Sequence, residues 1–249
     1  MKTRLDMLLV ERGLVESRTQ AQVLVMAGKV RVTGQVETKS SRLIDDAAEV
    51  TVEEPPRFVS RGGEKLEGAF ALWGGAAECP LDVRGRKCLD VGSSTGGFTD
   101  CLLQHDAALV MAVDVGTNQL AYKLRADPRV WVRENYNARY MKADDLPGTP
   151  EVAVTDVSFI SLKLILPPIA EVIAPGGRIV ALIKPQFEVG RGKAPGGLVR
   201  DEALRLAARD DIVDFAQKEL GLTLLGLAES PIRGREKGNV EYLSYWNKP

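Results

Sequence analysis

Seven short apolar runs, KCLDVG, LVMAVDVG, RVWVREN, VAVTDVSF, RIVALIKP, LTLLGLAES and VEYLSYW, punctuate the chain from residue 81 to its end. Helical patterns fall between them, around residues 98–105, 120–126, 162–173 and 202–220. Parallel strands need a crossover, and a helix is the usual one, so this alternation predicts an α/β domain with a parallel sheet covered on both faces. The last two runs are joined by a loop alone and are expected to form an antiparallel edge pair. A chain of 249 residues with 45% hydrophobic content can bury such a core and a small module besides.

The module lies ahead of the sheet. Leu5, Leu8 and Leu9 stand at helical spacing within residues 3–12, which end at Gly13. Ser17 followed by Gln20 is a capping-box pattern for a second helix, stopping at Gly28. KVRVTG and AAEVTVEE alternate in polarity and read as strands of a small sheet. Pro55 and Pro56 then mark a linker. The expected organisation is a small α+β domain over residues 1–54, a linker over 55–60 and the large α/β domain over 61–249.

Charge is distributed unevenly. The whole chain carries a net charge of -1, but residues 2–42 hold eight bases against four acids, or +4. Arg4, Arg18, Lys29 and Arg31 are the candidates there for holding a nucleic-acid phosphate backbone. On charge alone, a solvated helical face is an equal reading. Cys79, Cys88 and Cys101 form an odd set with no paired metal-ligand spacing, and His105 stands alone. Neither a disulfide scaffold nor a metal site is expected, and a reducing compartment fits. Charges interrupt the first twenty residues and no apolar stretch is long enough to span a bilayer. The expectation is therefore a cytoplasmic protein without a signal peptide, not a membrane one.

The segment LDVGSSTGGFTD puts an acid and glycines directly after the first strand of the large domain. Glycines at a strand-to-helix turn let a cofactor approach backbone N–H groups. Ser94 occupies the middle position of a GxGxxG match, which breaks the dinucleotide fingerprint. Asp90 is expected to hold the loop or one end of a cofactor, with Gly92, Ser93, Ser94, Gly96, Gly97 and Phe98 cradling it. Asp114 ends the next strand, where a carboxylate accepts the ribose hydroxyls of a nucleoside or simply caps a turn. Asn137, after the third strand, is placed in an adenine pocket.

Ligands of an α/β sheet sit at the carboxyl ends of its strands. Asp156 and Lys184 end the fourth and fifth strands, Glu241 opens the last, and Lys65 precedes the first. Each alone reads as a solvated strand end; convergence of four on one edge would be a site. Two polar segments flank that edge. KPQFEVGRGKAPGGLVRD carries Arg191 and Lys193, and RGREKGN carries Arg233 and Arg235; they read either as mobile surface loops or as a substrate lid and phosphate contacts. Phe187 fits base stacking and loop anchoring equally.

The order RLDMLLVERGLVESRTQAQVLVMAGKVRVTG resembles the S4 RNA-binding domain over roughly residues 3–52. SRGGEKL, LDVGSSTGGFTD, DVGTNQL, TDVSFISL, LIKPQFEVGR and KGNVEYL, in that order, resemble the TlyA (hemolysin A) family of ribosomal RNA 2′-O-methyltransferases, whose catalytic domain is similar to FtsJ-type enzymes. That resemblance implies a Rossmann-like, seven-stranded methyltransferase sheet, S-adenosylmethionine as cofactor, and a cytidine ribose in ribosomal RNA or a ribosomal subunit as acceptor. It places a Lys-Asp-Lys-Glu tetrad on Lys65, Asp156, Lys184 and Glu241. In such a tetrad, Lys184 serves as general base or orients the hydroxyl, its pKa lowered by partial burial and by Lys65. A monomer is the default. The alternatives are a non-catalytic S4-type RNA-binding factor and, from the family's older name, a membrane-active haemolysin, for which no membrane-inserting pattern is visible.

Overall fold

A computed structural model of the chain describes residues 2–53, 56–190, 192–234 and 237–249. It divides into two compact units, residues 1–57 and 58–249.

The first unit contains β1 (Lys2–Arg4), α1 (Leu5–Glu11), α2 (Arg18–Met26), β2 (Val30–Val32), β3 (Gln35–Val36), β4 (Leu43–Asp45) and β5 (Val50–Val52). Leu5, Leu8 and Leu9 pack with Val25, Val30 and Ile44 into one small core. Residues 3 and 4 extend the backbone instead of starting the helix, because β1 pairs antiparallel with β4. Ser17 caps α2, its Oγ accepting from the Gln20 N–H at 3.2 Å. The Gln20 side chain accepts from the Glu16 N–H, so only one half of the expected capping box forms.

The second unit contains α3 (Gly62–Trp73), β6 (Lys87–Val91), α4 (Gly97–Gln104), β7 (Leu109–Val113), α5 (Tyr122–Arg125), β8 (Val130–Arg133), β9 (Val152–Thr155), α6 (Leu166–Val172), β10 (Arg178–Ile183), α7 (Pro185–Glu188), α8 (Glu202–Lys218), β11 (Thr223–Glu229) and β12 (Tyr242–Asn247). Seven strands form one sheet in the order β11-β12-β10-β9-β6-β7-β8. The pairs among β6 to β10 are parallel. β12 runs antiparallel to both β10 and β11, so the expected antiparallel pair forms with β12 wedged inside the sheet and β11 on its edge. The mixed seven-stranded α/β sheet is the one expected.

Both faces are covered, which explains the unbroken apolar runs. Successive residues point to opposite faces, so Val180 and Leu182 of β10 join the core beneath α3 and α4, while Ile179, Ala181 and Ile183 join the core containing Ile169 of α6 and Ile212 of α8. The helix α3 carries no strong sequence signal, since two glycines open it. Gly63 is required sterically: a Cβ there would stand 2.2 Å from Phe58 Cγ.

Candidate active site

Strand register brings the ionic side chains together. β9 and β10 are parallel neighbours with Thr155 opposite Ala181, so Asp156 and Lys184 leave the sheet at the same end. β12 runs back against β10 with Ile183 opposite Tyr242, which sets Glu241 beside Lys184. Lys65 reaches that edge from the first turn of α3. Lys65 Nζ lies 2.8 Å from Glu241 Oε2 and 3.3 Å from Asp156 Oδ2, and Lys184 Nζ lies 2.5 Å from Asp156 Oδ1. Lys65, Lys184 and Glu241 are buried, at 9%, 7% and 3% exposure. Four ionic groups withdrawn from water are a poor way to stabilise a fold, because desolvation cancels most of the attraction. Their assembly therefore points to chemistry.

Asp156 stands between the two ammonium groups. Burial alone would raise its carboxyl, but Lys184 and then Lys65 hold it below the usual range. Burial likewise works to lower Lys65, and Asp156 and Glu241 overcome it, leaving the ammonium above its ordinary value. The lysine–lysine repulsion expected to act on Lys184 is thus bridged by a shared carboxylate. The Lys184 ammonium also donates to Ser158 Oγ at 2.8 Å.

Three hollows meet at this cluster. One of about 550 Å³ is lined by the loop after β6, with Lys65, Asp156 and Lys184. One of about 640 Å³ is lined by Asp114, Tyr136, Asn137 and Val157 among others. The third, of about 350 Å³, is lined by Lys65, Lys184, Glu241, Phe159, Phe187 and Lys237 among others. Ser158 lines all three. Phe159 is 85% exposed at this junction and has φ +63°, a left-handed conformation that is strained for an aromatic residue. Its ring lies 5.1 Å from that of Phe187.

The loop between β6 and α4 forms the floor of the first hollow. Gly96 adopts φ +100°, where a side chain would be strained. A Cβ on Gly97 would meet Ser60 Oγ at 2.3 Å, so only glycine lets the chain ahead of α3 lie across this loop. Gly92, Ser93, Ser94, Gly97 and Phe98 line the hollow, whereas Gly96 is buried beneath it. Asp90 lines none of the three hollows; it is fully buried and its Oδ2 accepts from the Thr99 hydroxyl at 2.6 Å. Thr99 lies in the first turn of α4, so this contact ties the end of β6 to that helix. Burial pushes its carboxyl up to about 7, opposed by the Thr99 hydrogen bond.

Asp114 accepts from the Ser94 and Gly116 N–H groups, both at 2.7 Å, while facing the second hollow. It pins the loop to β7 and keeps free lone pairs for a hydroxyl. Asn137 is exposed at the far wall and also caps a short helical turn by accepting from the Arg139 N–H. Glu134, not singled out in the sequence, accepts from the N–H groups of Asn118, Gln119 and Leu120. Burial resists its ionisation, but Arg125 and these donors bring it down to about 2.

The basic candidates divide. Arg4 and Arg18 both pair with the buried Asp6 carboxylate, at 3.0 and 2.9 Å. Lys29 pairs with Glu53, and exposed Arg31 donates to the Gly34 carbonyl. Lys193 is exposed, and Arg233 lines the first hollow. Arg191 and Arg235 lie outside the described residues. Sequence reasoning missed Ser158, whose only signal is a hydroxyl two places beyond the strand-ending acid.

The sequence matches the FtsJ-like methyltransferase family over residues 58–248 and the S4 domain over residues 3–50. It is 45% identical to the 16S/23S rRNA (cytidine-2′-O)-methyltransferase TlyA of Mycobacterium tuberculosis, across 97% of this chain and 88% of that one. It is 43% identical to a Brachyspira hyodysenteriae protein named Hemolysin A, across 98% and 99%. A solved Streptococcus thermophilus structure, described as a candidate hemolysin, is 45% identical with a TM-score of 0.74 and covers 99% of this chain and 88% of its own.

Proposed function

The chain belongs to the TlyA (hemolysin A) branch of the FtsJ-like methyltransferases, and from that premise we propose that it transfers a methyl group from S-adenosylmethionine to the 2′-hydroxyl of a cytidine ribose in ribosomal RNA. The observation that carries this reading is the direct contact of Lys65, Asp156, Lys184 and Glu241 where three hollows join. The hollow faced by Asp114 and Asn137 suits a nucleoside, with Asp114 accepting from its ribose. The hollow floored by Gly92, Ser93, Ser94, Gly97 and Phe98 suits the amino-acid end, with Asp90 and Gly96 shaping its floor from behind. When bound, the cofactor supplies a sulfonium methyl that is electrophilic without further activation.

The protein's task is then to align a ribose hydroxyl and to remove its proton. Lys184 Nζ, open to the acceptor hollow, orients the hydroxyl, and only as the neutral amine, its own proton first given up to solvent, does it receive the hydroxyl proton as the oxygen attacks. Asp156 stabilises the resulting ammonium and Ser158 fixes its direction. Lys65, kept charged between two carboxylates, holds Asp156 and Glu241 in place. Proton removal of this kind contributes about 10²–10⁴-fold, and alignment adds to it. Phe159 and Phe187 offer apolar faces to a base in the acceptor hollow, and Lys193, Arg233 and Lys237 offer charge to phosphates. The first unit adds RNA affinity through Arg4, Arg18, Lys29 and Arg31, and Arg191 and Arg235 are expected to add to the phosphate contacts.

All four central side chains come from one chain, so a monomer suffices. No described helix is long and apolar enough to cross a membrane, and the cytoplasm, where ribosomal RNA is found, is the proposed site of action. Tritiated methyl transfer to ribosomal RNA, followed by mass-spectrometric mapping of the modified ribose, tests the proposal. Absence of transfer to any ribosomal substrate by the folded protein would overturn it in favour of a binding factor.

A further inference from the structure

On the far side of α4 from the loop, three side chains of different ligand chemistry meet. Glu67 comes from α3, Cys101 lies within α4 and His105 caps its end, four residues on and so on the same face. Their ligating atoms all lie within 4.8 Å of one another. His105 Nε2 is 2.8 Å from Glu67 Oε2, and Cys101 Sγ is 3.7 Å from the same oxygen. The histidine ring is fixed in this orientation by stacking on Phe70, with centroids 3.8 Å apart. Cys101 is fully buried, while Glu67 and His105 are about one-third exposed and so within reach of solvent.

We propose that Glu67, Cys101 and His105 form a binding site for a zinc ion, with water as the fourth ligand. Ligand bonds of about 2.0–2.3 Å arranged tetrahedrally put neighbouring ligand atoms about 3.3–3.6 Å apart. The Glu67–His105 and Glu67–Cys101 distances of 2.8 and 3.7 Å bracket that separation and the third pair lies within 4.8 Å, so side-chain rotations bring the three ligands onto one ion. Sulfur, imidazole nitrogen and carboxylate oxygen together select zinc over magnesium or calcium, which take oxygen ligands. Charge also balances: thiolate and carboxylate neutralise the dication, and binding expels the Cys101 proton to solvent. The site was hidden from the sequence because Glu67 lies 34 residues from Cys101.

Such an ion would clip α3, whose first turn holds Lys65, to α4, which begins at the Gly97 end of the cofactor loop. It therefore fastens the two helices that shape the active site without entering it. The ion binding itself does not depend on the proposed reaction.

The full-length protein, stripped with chelator, loaded with zinc and dialysed against metal-free buffer, should retain one equivalent by elemental analysis. Cobalt loading should give thiolate-to-metal charge-transfer absorption. Cys101→Ser and His105→Ala should lose both signals, whereas Cys79→Ser should keep them. Because Cys101 is buried, His105→Ala, on a residue about one-third exposed, is the decisive variant if Cys101→Ser fails to fold. Failure of the wild-type protein to retain zinc, or equal retention by His105→Ala and Glu67→Gln, would overturn the proposal.

Discussion

Two carboxylates in this molecule each gather two cations, and they do so in opposite ways. In the first unit Asp6 is fully buried, while its partners Arg4 and Arg18 keep side-chain exposures of 38% and 55%. In the second unit the cations are the buried members, with Lys65 and Lys184 at 11% and 8%, around an Asp156 at 18%. An inward acid with outward guanidinium groups fastens a surface and leaves positive charge facing water, suited to a phosphate backbone. Inward ammonium groups around a shared acid create a dry, charge-balanced cluster that borders hollows on three sides. The same ion-pair chemistry leaves charge displayed in one region and enclosed in the other, and direction of burial is the difference.

The sharpest way to break that contrast is Lys184→Ala. Methyl transfer to ribosomal RNA should fall by roughly 10²–10⁴-fold while cofactor affinity, read by calorimetry, stays within a few-fold. Residual turnover near wild type would remove Lys184 from its role. Asp156→Asn should leave buried Lys184 without its carboxylate, Lys65 keeping Glu241, and cost about 3–5 kcal/mol in denaturant unfolding of the second unit. An unchanged midpoint would mean that the cluster is wetter than it looks. Ser158→Ala removes a hydrogen bond to a charged group and should lower kcat by roughly tenfold with KM for RNA little changed; an effect on KM alone would make Ser158 a substrate contact instead.

Asp90→Asn probes the support behind the site through pH. The folded-state carboxyl sits above its ordinary value, at about 7. Its contribution to stability is therefore full at pH below the ordinary carboxylate value and is lost as pH rises through about 7. Thermal melts of Asp90→Asn should lose that decline, and parallel profiles for both proteins would show that Asp90 is not its source. The smallest effect belongs to the first unit: Arg18→Ala should reduce the salt slope of RNA binding by about 1 and leave cofactor affinity unchanged. An unaltered slope would confine Arg18 to fastening Asp6.

Much of this was legible beforehand. Apolar runs bounded by turns located all seven strands of the large sheet, because strands buried on both faces need nearly continuous apolar sequence. Asp156, Lys184 and Glu241 stood out because each adjoins such a run, whereas Lys65 lies well ahead of the first and stood out through the family resemblance. Less visible were α3, whose opening glycines mask a helix, and β1, whose extended backbone depends on β4 some forty residues away. Glu134 and Ser158 were also hidden, since an acid or a hydroxyl after a strand is ordinary until its partners are known.

The sequence by itself determined the sheet-forming runs and their order, the glycine-bearing loop and the residue types available at the strand ends. Those follow from local propensity and periodicity, which act over a few residues. Only the tertiary structure decided that Asp156 lies between Lys65 and Lys184, that Arg4 and Arg18 share Asp6, and that Glu67 reaches Cys101 and His105. Register and helix packing join positions distant along the chain, and with them the burial that sets which charges face water and which face one another.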